Sequence, residues 1–300
     1  MRSTATALRS NEADAPAPEV QFRWLETLWL QVTGTLCNLA CRHCFISCGP
    51  KAHRIPMMSV AQVDAALDEG VRLGMKDVYF TGGEPFLHPE LPRLVERALA
   101  VAPLTIVTNG ILIDDASARW LRRAFHAARY SLDLRVSLDG MTPEQNDPVR
   151  GRGSFQKIVA GIGRLAEAGL SPVVTVVEHE ESLTFSETRT RFTDFLRSLG
   201  LRQPRVKFLP LLRIGREARR THGYSPSDVL EPADLQPAVE QSLLCSSGRC
   251  VSAQGAFTCP ILVDTPDARL GDRLEDATRP IHLRWAACRT CVMEGLRCNT

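Results

Sequence analysis

The sequence predicts an α/β protein: a partial (β/α)6 TIM-like barrel followed by a small cysteine-rich extension. Between residues 28 and 210, short β-branched or apolar runs alternate with longer amphipathic stretches. This repetition indicates parallel strands joined by right-handed helical crossovers. Six such strands fit a partial barrel better than a closed barrel of eight. Gly74, Gly169 and Gly200 follow directly where the apolar periodicity stops and mark the ends of three helices.

Six strands and five helices are predicted in this segment from the switch between the two periodicities. The strands are expected at residues 28–33, 77–81, 104–108, 133–138, 172–178 and 205–209. The helices are expected at residues 60–73, 89–101, 115–127, 155–168 and 188–199. In a parallel barrel the functional groups gather at the carboxyl ends of the strands, so motifs that carry chemistry are expected there.

Composition divides the chain into four parts. They are a tail over residues 1–27, the barrel over residues 28–212, a charged connector over residues 213–244 and a cysteine-rich segment over residues 245–300. The tail is rich in Ala, Ser and Pro and is expected to be flexible. The last segment has few long apolar runs and does not easily bury its own core, so bound metal is expected to supply folding free energy.

Charge and hydropathy exclude several classes of protein. Hydrophobic residues make up 44% and charged residues 23% of the chain, as in an ordinary globular protein. A formal net charge of +2 argues against a nucleic-acid partner. No apolar run is long enough to span a bilayer, and no secretion signal begins the chain. We therefore expect a cytoplasmic protein with no nucleic-acid or membrane partner.

The ten cysteines occupy the two ends of the chain. Four lie between Cys37 and Cys48, and six lie between Cys245 and Cys298. A disulfide framework suits small secreted chains with little core, and this chain is neither small nor visibly secreted. Clustered cysteines in a cytosolic protein more often bind metal or do redox chemistry. We therefore expect metal at both ends of the chain.

Cys37, Cys41 and Cys44 follow the first predicted strand with the spacing C-x3-C-x2-C. Three thiolates on one loop can hold three irons of a 4Fe–4S cluster and leave the fourth iron open. A structural zinc site normally uses four ligands, often as paired C-x2-C knuckles. The three-plus-one arrangement at a strand end therefore argues against zinc, and the spacing argues against three unrelated buried cysteines.

This stretch resembles the signature of the radical S-adenosylmethionine (SAM) superfamily. The resemblance implies that the open iron is chelated by the amino and carboxylate groups of SAM. It also implies that one electron from the reduced cluster cleaves the sulfonium and yields a 5′-deoxyadenosyl radical, which abstracts a substrate hydrogen atom. A reductant such as flavodoxin or ferredoxin is expected to supply that electron. The protein would position the cofactors and exclude water.

Gly82, Gly83, Glu84 and Pro85 follow the second strand and resemble the GGEP motif of the family. The resemblance implies that their backbone and the Glu84 carboxylate receive the SAM amino group. Glycine permits close backbone approach, and a carboxylate accepts charged N–H donors. In isolation the same four residues make an ordinary turn, so their position after the strand is what favours SAM binding.

Polar groups also end the next two strands. Asn109 ends the third, and Ser137 and Asp139 end the fourth, although Asn-Gly and Asp-Gly are also favoured turn pairs. Position favours a SAM contact for Ser137, and Asp139 is expected at the ribose or in the substrate space. Arg150 is either a bidentate partner of the SAM carboxylate or an exposed structural arginine. Leu209, on the sixth strand, is expected to pack against adenine.

The sequence offers three candidates for a catalytic group. Glu178 and His179 end the fifth strand and are expected to face the cavity, where His179 is either an acid or base or a structural histidine. Cys48 follows Cys44 by four residues and is either a hydrogen-atom donor to a substrate radical or a packed thiol. Small buried thiols are common, so packing is favoured.

The C-terminal cysteines resemble the SPASM and twitch extensions, which bind auxiliary 4Fe–4S clusters. The resemblance rests on a C-x-x-G-R start at Cys245, a glycine shortly before Cys259-Pro260, and a distal C-x2-C. In isolation the segment would favour zinc. It is short and has six cysteines, which implies one cluster, the twitch arrangement. The implied ligands are Cys245, Cys259, Cys288 and Cys291, with Cys298 or Cys250 as replacements.

Two classes of reaction are compatible with these features. The first is oxidation or rearrangement of a small molecule in a biosynthetic pathway, with the auxiliary cluster accepting the second electron. The second is a peptide or protein maturase that forms a thioether, a carbon–carbon crosslink or a formylglycine. The stretch before the first strand is too short for the N-terminal recognition domain of many peptide-acting relatives, which favours a small substrate. A non-enzymatic iron–sulfur module would leave the SAM-pocket motifs unexplained.

Overall fold

The computed structural model describes residues 17–177, 185–225 and 227–296. The strands in these ranges are β1 Glu19–Val20, β2 Thr27–Gln31, β3 Asp77–Thr81, β4 Leu104–Thr108, β5 Leu132–Ser137, β6 Val173–Val177, β7 Arg205–Leu209, β8 Gly248–Ser252, β9 Gly255–Phe257, β10 Arg269–Gly271 and β11 Ile281–His282. The α-helices are α1 Val60–Arg72, α2 Leu91–Leu99, α3 Asp115–Ala127, α4 Pro143–Arg150, α5 Ser154–Glu167, α6 Phe185–Ser198, α7 Ala218–Thr221, α8 Pro237–Ser242 and α9 Ala287–Met293.

Strands β2 to β7 lie side by side in chain order, and all five pairings between them are parallel. Each strand is connected to the next through at least one helix. This arrangement confirms the predicted α/β fold with its six parallel strands. Three strands and helix α3 have the predicted bounds, and the other predicted elements differ by one to three residues at an end.

Helix α4 was not predicted. The segment contains Pro148, which removes a backbone donor and usually argues against a helix interior. Pro143 begins the helix, where a missing N–H costs little, and Gly151 ends it with a φ of 115°. The helix places Arg150 in its last turn, beside the carboxyl end of β5.

The cysteine-rich segment continues the barrel sheet. Strand β8 pairs in parallel with β2, so that Trp29 lies opposite Cys250, and β9 and β10 follow antiparallel. The sheet therefore has nine strands within the described residues, six from the barrel and three from this segment. The sequence did not predict this pairing, because the two strands lie more than 200 residues apart.

The prediction of a flexible tail is wrong for residues 17–27. Strand β1 pairs antiparallel with β11, Leu25 is buried, and the Arg23 N–H donates to the Ser246 carbonyl at 2.9 Å. The physical reason is that these few apolar residues are covered by the C-terminal segment, which local composition does not reveal. Residues 1–16 lie outside the described part.

Two apolar clusters stabilise the molecule. The larger lies between the parallel strands and the helices, and includes Phe80 on β3, Leu94 on α2 and Ile106 on β4. The smaller lies between the first cysteine loop and the C-terminal segment, and includes Trp29 and Ile261. Each fully buried Leu, Ile or Phe contributes about 1.5–3 kcal/mol. Among the described residues, no helix has both the length and the hydropathy needed to cross a bilayer.

Candidate active site and a second cysteine cluster

A cavity of about 260 Å³ opens at the carboxyl ends of the parallel strands. Residues at or just past the ends of four strands line it, namely Thr81, Gly82, Gly83, Thr108, Asn109, Ser137 and Leu209. The wall also includes four cysteines of one loop, Cys37, Cys41, Cys44 and Cys48. Most of the predicted strand-end residues therefore meet the predicted cluster ligands in one place.

Backbone donors in the cysteine loop point at two of the sulfur atoms. The Leu39 N–H lies 3.4 Å from the Cys37 sulfur, and the Cys48 N–H lies 3.2 Å from the Cys44 sulfur. Such bonds stabilise the thiolate, which is the form of cysteine that binds iron. They also affect the reduction potential of a bound cluster.

Burial and hydrogen bonding give the four thiols different proton affinities. Burial raises the pKa of Cys37 to about 12 and also raises the pKa of Cys41. A hydrogen bond from the Cys48 thiol lowers the pKa of Cys44 to about 6, and this bond, with burial, raises the pKa of Cys48. Iron binding would therefore displace a proton less readily from Cys37 and Cys41 than from Cys44, whose pKa is lowered.

Three thiols of the first cysteine loop are the predicted ligands of a four-iron cluster. Within the described ranges, no three His, Cys, Asp or Glu side chains converge closely enough to hold a single metal ion. A four-iron cluster spreads its thiolate ligands farther apart than one tetrahedral zinc ion does. Cys37, Cys41 and Cys44 share one cavity wall, and the cluster that they would hold stays a prediction.

Gly83 lies in direct backbone contact with the cysteine loop. A Cβ atom at this position would lie 2.0 Å from the Leu36 carbonyl oxygen and 2.8 Å from the Cys37 Cβ. The next residue, Glu84, donates its N–H to the same Leu36 carbonyl at 3.0 Å. Only glycine permits this approach, so the GGEP stretch and the cysteine loop form one backbone unit.

The Glu84 carboxylate lies behind the cavity wall. It is fully buried and accepts hydrogen bonds from the Phe86 N–H, the Thr108 hydroxyl and the Asn109 N–H, at 3.1, 2.7 and 2.7 Å. Burial raises the pKa of Glu84 to about 6. The carboxylate thus ties the end of β3 to the end of β4, and its predicted contact with the SAM amino group stays a prediction.

Asp139 is the centre of a buried charge network. One carboxylate oxygen lies 2.8 Å from both His43 Nε2 and Arg150 Nε, and the other accepts the Val177 N–H at 3.0 Å. Burial opposes ionisation of Asp139, but Arg150 and His43 outweigh it and hold the pKa well below its usual range. The structure thus binds Asp139 to the cysteine loop instead of exposing it to the substrate space.

The predicted alternative of an exposed Arg150 is wrong. The side chain is buried and lines the cavity while it pairs with Asp139. Helix α4, which the sequence did not reveal, carries it there. The other alternative, a contact with the SAM carboxylate, stays a prediction.

The remaining predicted residues have different positions. Ser137 and Leu209 line the cavity. Asn109 also lines it, but its amide donates to Asn38 Oδ1 at 2.7 Å and so connects β4 with the cysteine loop. Cys48 is buried and faces the same cavity, which leaves both of its predicted roles open. Glu178 and His179 lie outside the described residues.

Arg216 is a functional candidate that the sequence did not reveal. Its guanidinium donates to the Cys41 and Cys48 carbonyls at 2.5 and 2.6 Å, and its N–H donates to the Cys44 carbonyl at 3.0 Å. It therefore fixes the cysteine loop from outside and adds a positive charge beside the thiols. It comes from the connector, where a charged stretch carried no motif.

The second cysteine group is assembled from three separate segments. Cys245 and Cys259 both lie within electrostatic range of Cys288, and Cys291 lies one helical turn after Cys288 on α9. Burial raises the pKa of Cys259 to about 11 and also raises the pKa of Cys288. Cys250 is completely buried on β8. Cys298 lies outside the described part of the chain.

The second group adjoins the cavity of the first. Pro260 and Ile261, which directly follow Cys259, line the same cavity as Cys37, Cys41 and Cys44. All nine cysteines among the described residues are free thiols. A molecule in the cavity would therefore contact the first cysteine loop and the residues that directly follow Cys259.

A parallel barrel sheet with a three-cysteine loop at its carboxyl edge defines the class of radical SAM proteins. Residues 32–180 match the family model described as the radical SAM superfamily. The chain therefore belongs to the radical SAM superfamily.

Curated relatives support the same family. The mycofactocin maturase MftC of Mycobacterium ulcerans is 37% identical over 147 residues, which cover 48% of this chain and 38% of the relative. GTP 3′,8-cyclase 1 of Mycobacterium tuberculosis strain H37Rv is 32% identical over 178 residues, which cover 52% of this chain and 45% of the relative. The match thus spans less than half the length of these relatives.

Solved structures share the fold. Streptococcus suis SuiB bound to the precursor peptide SuiA has a TM-score of 0.63 and 14% identity, covering 89% of this chain and 67% of SuiB. The histidine-tagged protein anSMEcpe with bound AdoMet has a TM-score of 0.57 and 16% identity, covering 84% of this chain and 79% of anSMEcpe. At this identity the likeness shows the fold alone.

Proposed function

We propose that this chain is a radical SAM enzyme that cleaves SAM reductively and uses the resulting 5′-deoxyadenosyl radical to remove a hydrogen atom from a substrate. The observation that carries the proposal is the meeting of Cys37, Cys41 and Cys44 with the ends of the parallel strands in one cavity. When bound, a 4Fe–4S cluster supplies one electron to the sulfonium of SAM, and a flavodoxin or ferredoxin replaces that electron.

The residues that line the cavity would then bind and orient SAM. The backbone of Gly82 and Gly83 permits close approach of the SAM amino group, and the Ser137 hydroxyl is available from the end of β5. Arg150, held by Asp139, presents its guanidinium at the cavity wall to the SAM carboxylate. Leu209 supplies an apolar surface for adenine. The largely apolar wall would exclude water from the radical.

A second 4Fe–4S cluster is proposed at Cys245, Cys259, Cys288 and Cys291. Its support is that Cys245 and Cys259 both lie within electrostatic range of Cys288, and that Pro260 and Ile261, which follow Cys259, line the cavity. The backbone N–H groups of Ile261 and Leu262 act to lower the pKa of Cys259, which favours the thiolate form that binds iron. This cluster would accept the electron that a substrate radical loses on oxidation.

For the substrate, we propose a small molecule of a biosynthetic pathway. The relative named GTP 3′,8-cyclase supports this class, because its name describes action on a nucleotide. A peptide or protein is the second candidate. It is favoured by the relative named mycofactocin maturase and by the fold neighbour SuiB, whose structure contains a precursor peptide.

The proposal is tested by removing each cysteine group in turn. Anaerobically reconstituted protein with dithionite is expected to release 5′-deoxyadenosine from SAM. Joint replacement of Cys37, Cys41 and Cys44 by Ala should abolish this release and leave about four irons per chain. Persistent cleavage in that variant would reject the assignment. Zinc in place of the remaining iron would reject the auxiliary cluster.

The reciprocal variant is the matched control. Replacement of Cys245, Cys259, Cys288 and Cys291 by Ala should keep SAM cleavage and lose about four irons, because the first cysteine loop has its own backbone contacts.

Substrate class is tested with extract of the native host, separated by size into a low-mass pool and a peptide pool. A substrate should raise 5′-deoxyadenosine release above the rate without substrate. Stimulation by the low-mass pool that survives protease treatment supports a small molecule. Stimulation that protease destroys supports the maturase.

A further inference from the structure

Arg249 is the largest side chain that the described part of the chain buries completely. Its guanidinium donates to four backbone carbonyls, those of Ala277, Cys245, Gly248 and Arg279, at 2.7, 2.7, 2.7 and 2.9 Å. The ring of Phe22 lies 4.1 Å from its central carbon. Every nitrogen of the guanidinium therefore donates to a neutral carbonyl, and the face of the Phe22 ring covers the charged group.

No carboxylate in the described part of the chain pairs with the Arg249 guanidinium. Among the described residues, the groups that act on it electrostatically are the thiols of Cys245 and Cys259 and the cation of Arg279. Burial lowers the pKa of Arg249 to about 10, so the guanidinium still carries its charge near neutral pH. Burying a charge without an opposite charge opposes folding even after the hydrogen bonds of the charged group are made.

The proposed auxiliary cluster would supply a negative charge near Arg249. Two of the four proposed auxiliary ligands, Cys245 and Cys259, lie within electrostatic range of the guanidinium, which also donates to the Cys245 carbonyl. A 4Fe–4S cluster held by four thiolates carries a net negative charge, and its potential depends on nearby charges and hydrogen bonds. Such a cluster would compensate Arg249, which neutral thiols do not.

We propose that Arg249 is a positioning residue whose fixed charge stabilises the reduced state of the auxiliary cluster and thereby raises its reduction potential. The inference rests on the proposed auxiliary cluster. When the substrate radical is oxidised, it loses one proton to solvent and one electron to the cluster, whose charge becomes more negative by one. A cation in a poorly polarisable surrounding favours the more negative state. Arg249 would thus make the cluster a better electron acceptor.

The test measures a potential instead of a rate. The full chain with Cys37, Cys41 and Cys44 replaced by Ala carries only the auxiliary cluster, and its potential is read by a redox titration followed by electron paramagnetic resonance. Arg249→Gln removes the charge and should shift the potential to a more negative value. Arg249→Lys keeps the charge and should restore most of the difference. Arg279→Gln, at an exposed neighbouring cation, is the matched control and should shift it less.

Each outcome decides the proposal. An unchanged potential in Arg249→Gln would overturn the proposal, because Arg249 would then have no effect on the cluster. Equal shifts in the Gln and Lys variants would also overturn it, because the hydrogen bonds of the guanidinium and not its charge would then set the potential. If Arg249→Gln fails to load iron, loading in Arg249→Lys supports the role of charge, and failure of both overturns it. Absence of an iron–sulfur signal in the parent chain is a separate result that removes the auxiliary cluster itself.

Discussion

The cysteine loop of residues 37–48 and the cysteine segment of residues 245–291 both offer iron ligands, but their surroundings differ. In the loop, Cys41 and Cys44 are partly exposed and line an open cavity. In the segment, Cys245 and Cys291 are also partly exposed and Cys259 and Cys288 are buried, but none of these four lines the cavity. A cluster at the cavity wall can bind a small molecule, whereas a cluster set back from the wall suits electron exchange.

The two groups also differ in how the chain supports them. Several contacts from distant elements fix the first loop, through Gly83, Asn109, Asp139 and Arg216. Near the second group, the buried cation Arg249 donates to the Cys245 carbonyl, and Thr290 on α9 hydrogen-bonds with Tyr224. The first site is therefore expected to be sensitive at positions after several barrel strands, and the second at positions in the connector and the C-terminal segment.

The largest effect is expected from Gly83→Ala. Its Cβ would lie 2.0 Å from the Leu36 carbonyl oxygen, so the cysteine loop has to move. The variant should lose SAM cleavage and about half of its iron, because only the first cluster is affected. Iron analysis and 5′-deoxyadenosine release measure the two effects.

Gly163→Ala is the matched control for this substitution. A Cβ at Gly163 meets nothing within 4 Å on helix α5, and alanine there should stabilise the protein by about 0.5–1 kcal/mol. Full iron content in Gly83→Ala would show that the two backbone segments are not coupled as the structure indicates.

The next effect is expected from Asp139→Asn, which leaves Arg150 buried without its partner. Breaking a buried pair in this way lowers the free energy of unfolding by about 3–5 kcal/mol. Urea unfolding of the metal-free protein measures the loss. Asp133→Asn breaks the exposed pair with Arg205 and should cost no more than about 1 kcal/mol. Equal losses in the two variants would contradict the role given to Asp139.

The same carboxylate predicts a pH dependence. The pKa of Asp139 is lower in the folded state than in the unfolded state. Its stabilisation is therefore complete above the unfolded value of about 4 and is lost as the pH falls toward the folded value. Unfolding measured at a series of acidic pH values should show a steeper loss in the parent protein than in Asp139→Asn. Parallel curves would contradict this assignment.

The smallest effect is expected from Asp264→Asn, which breaks a contact between the two cysteine regions. Arg54, beside the first loop, lies 2.7 Å from the Asp264 carboxylate, and both side chains are partly exposed. Such pairs contribute about 0–1 kcal/mol and are screened by salt. The difference in unfolding free energy should therefore shrink at high salt. A loss of unfolding free energy above about 1 kcal/mol that persists in high salt would contradict the small contribution expected for this ion pair.

Much of the fold was predictable because its signals are local. The switch between strand and helix periodicity gave the six barrel strands, three of them with the observed bounds. Helix α4 was missed because Pro148 argues against a helix when only neighbouring residues are considered. The flexible tail was predicted wrongly because the partners of residues 17–27 lie at the other end of the chain.

The candidate site shows the same division. Cys37, Cys41 and Cys44 were predicted from their spacing, since a single loop holds all three. Arg216 was missed, because nothing in its own segment indicates that it contacts the cysteine loop. Asp139 was predicted as a cofactor or substrate contact, and the structure shows it in an ion pair with an arginine on the unpredicted helix α4.

The sequence by itself determined the periodicity of the barrel, the three-cysteine loop and the polar residues at the strand ends. Each of these features depends on residues that lie close together in the sequence. Only the tertiary structure decided that β8 joins β2, that Arg216 supports the cysteine loop and that Arg249 lies buried beside the second cysteine group. Contacts of this kind depend on sheet register and on packing between distant segments, which residue spacing does not encode.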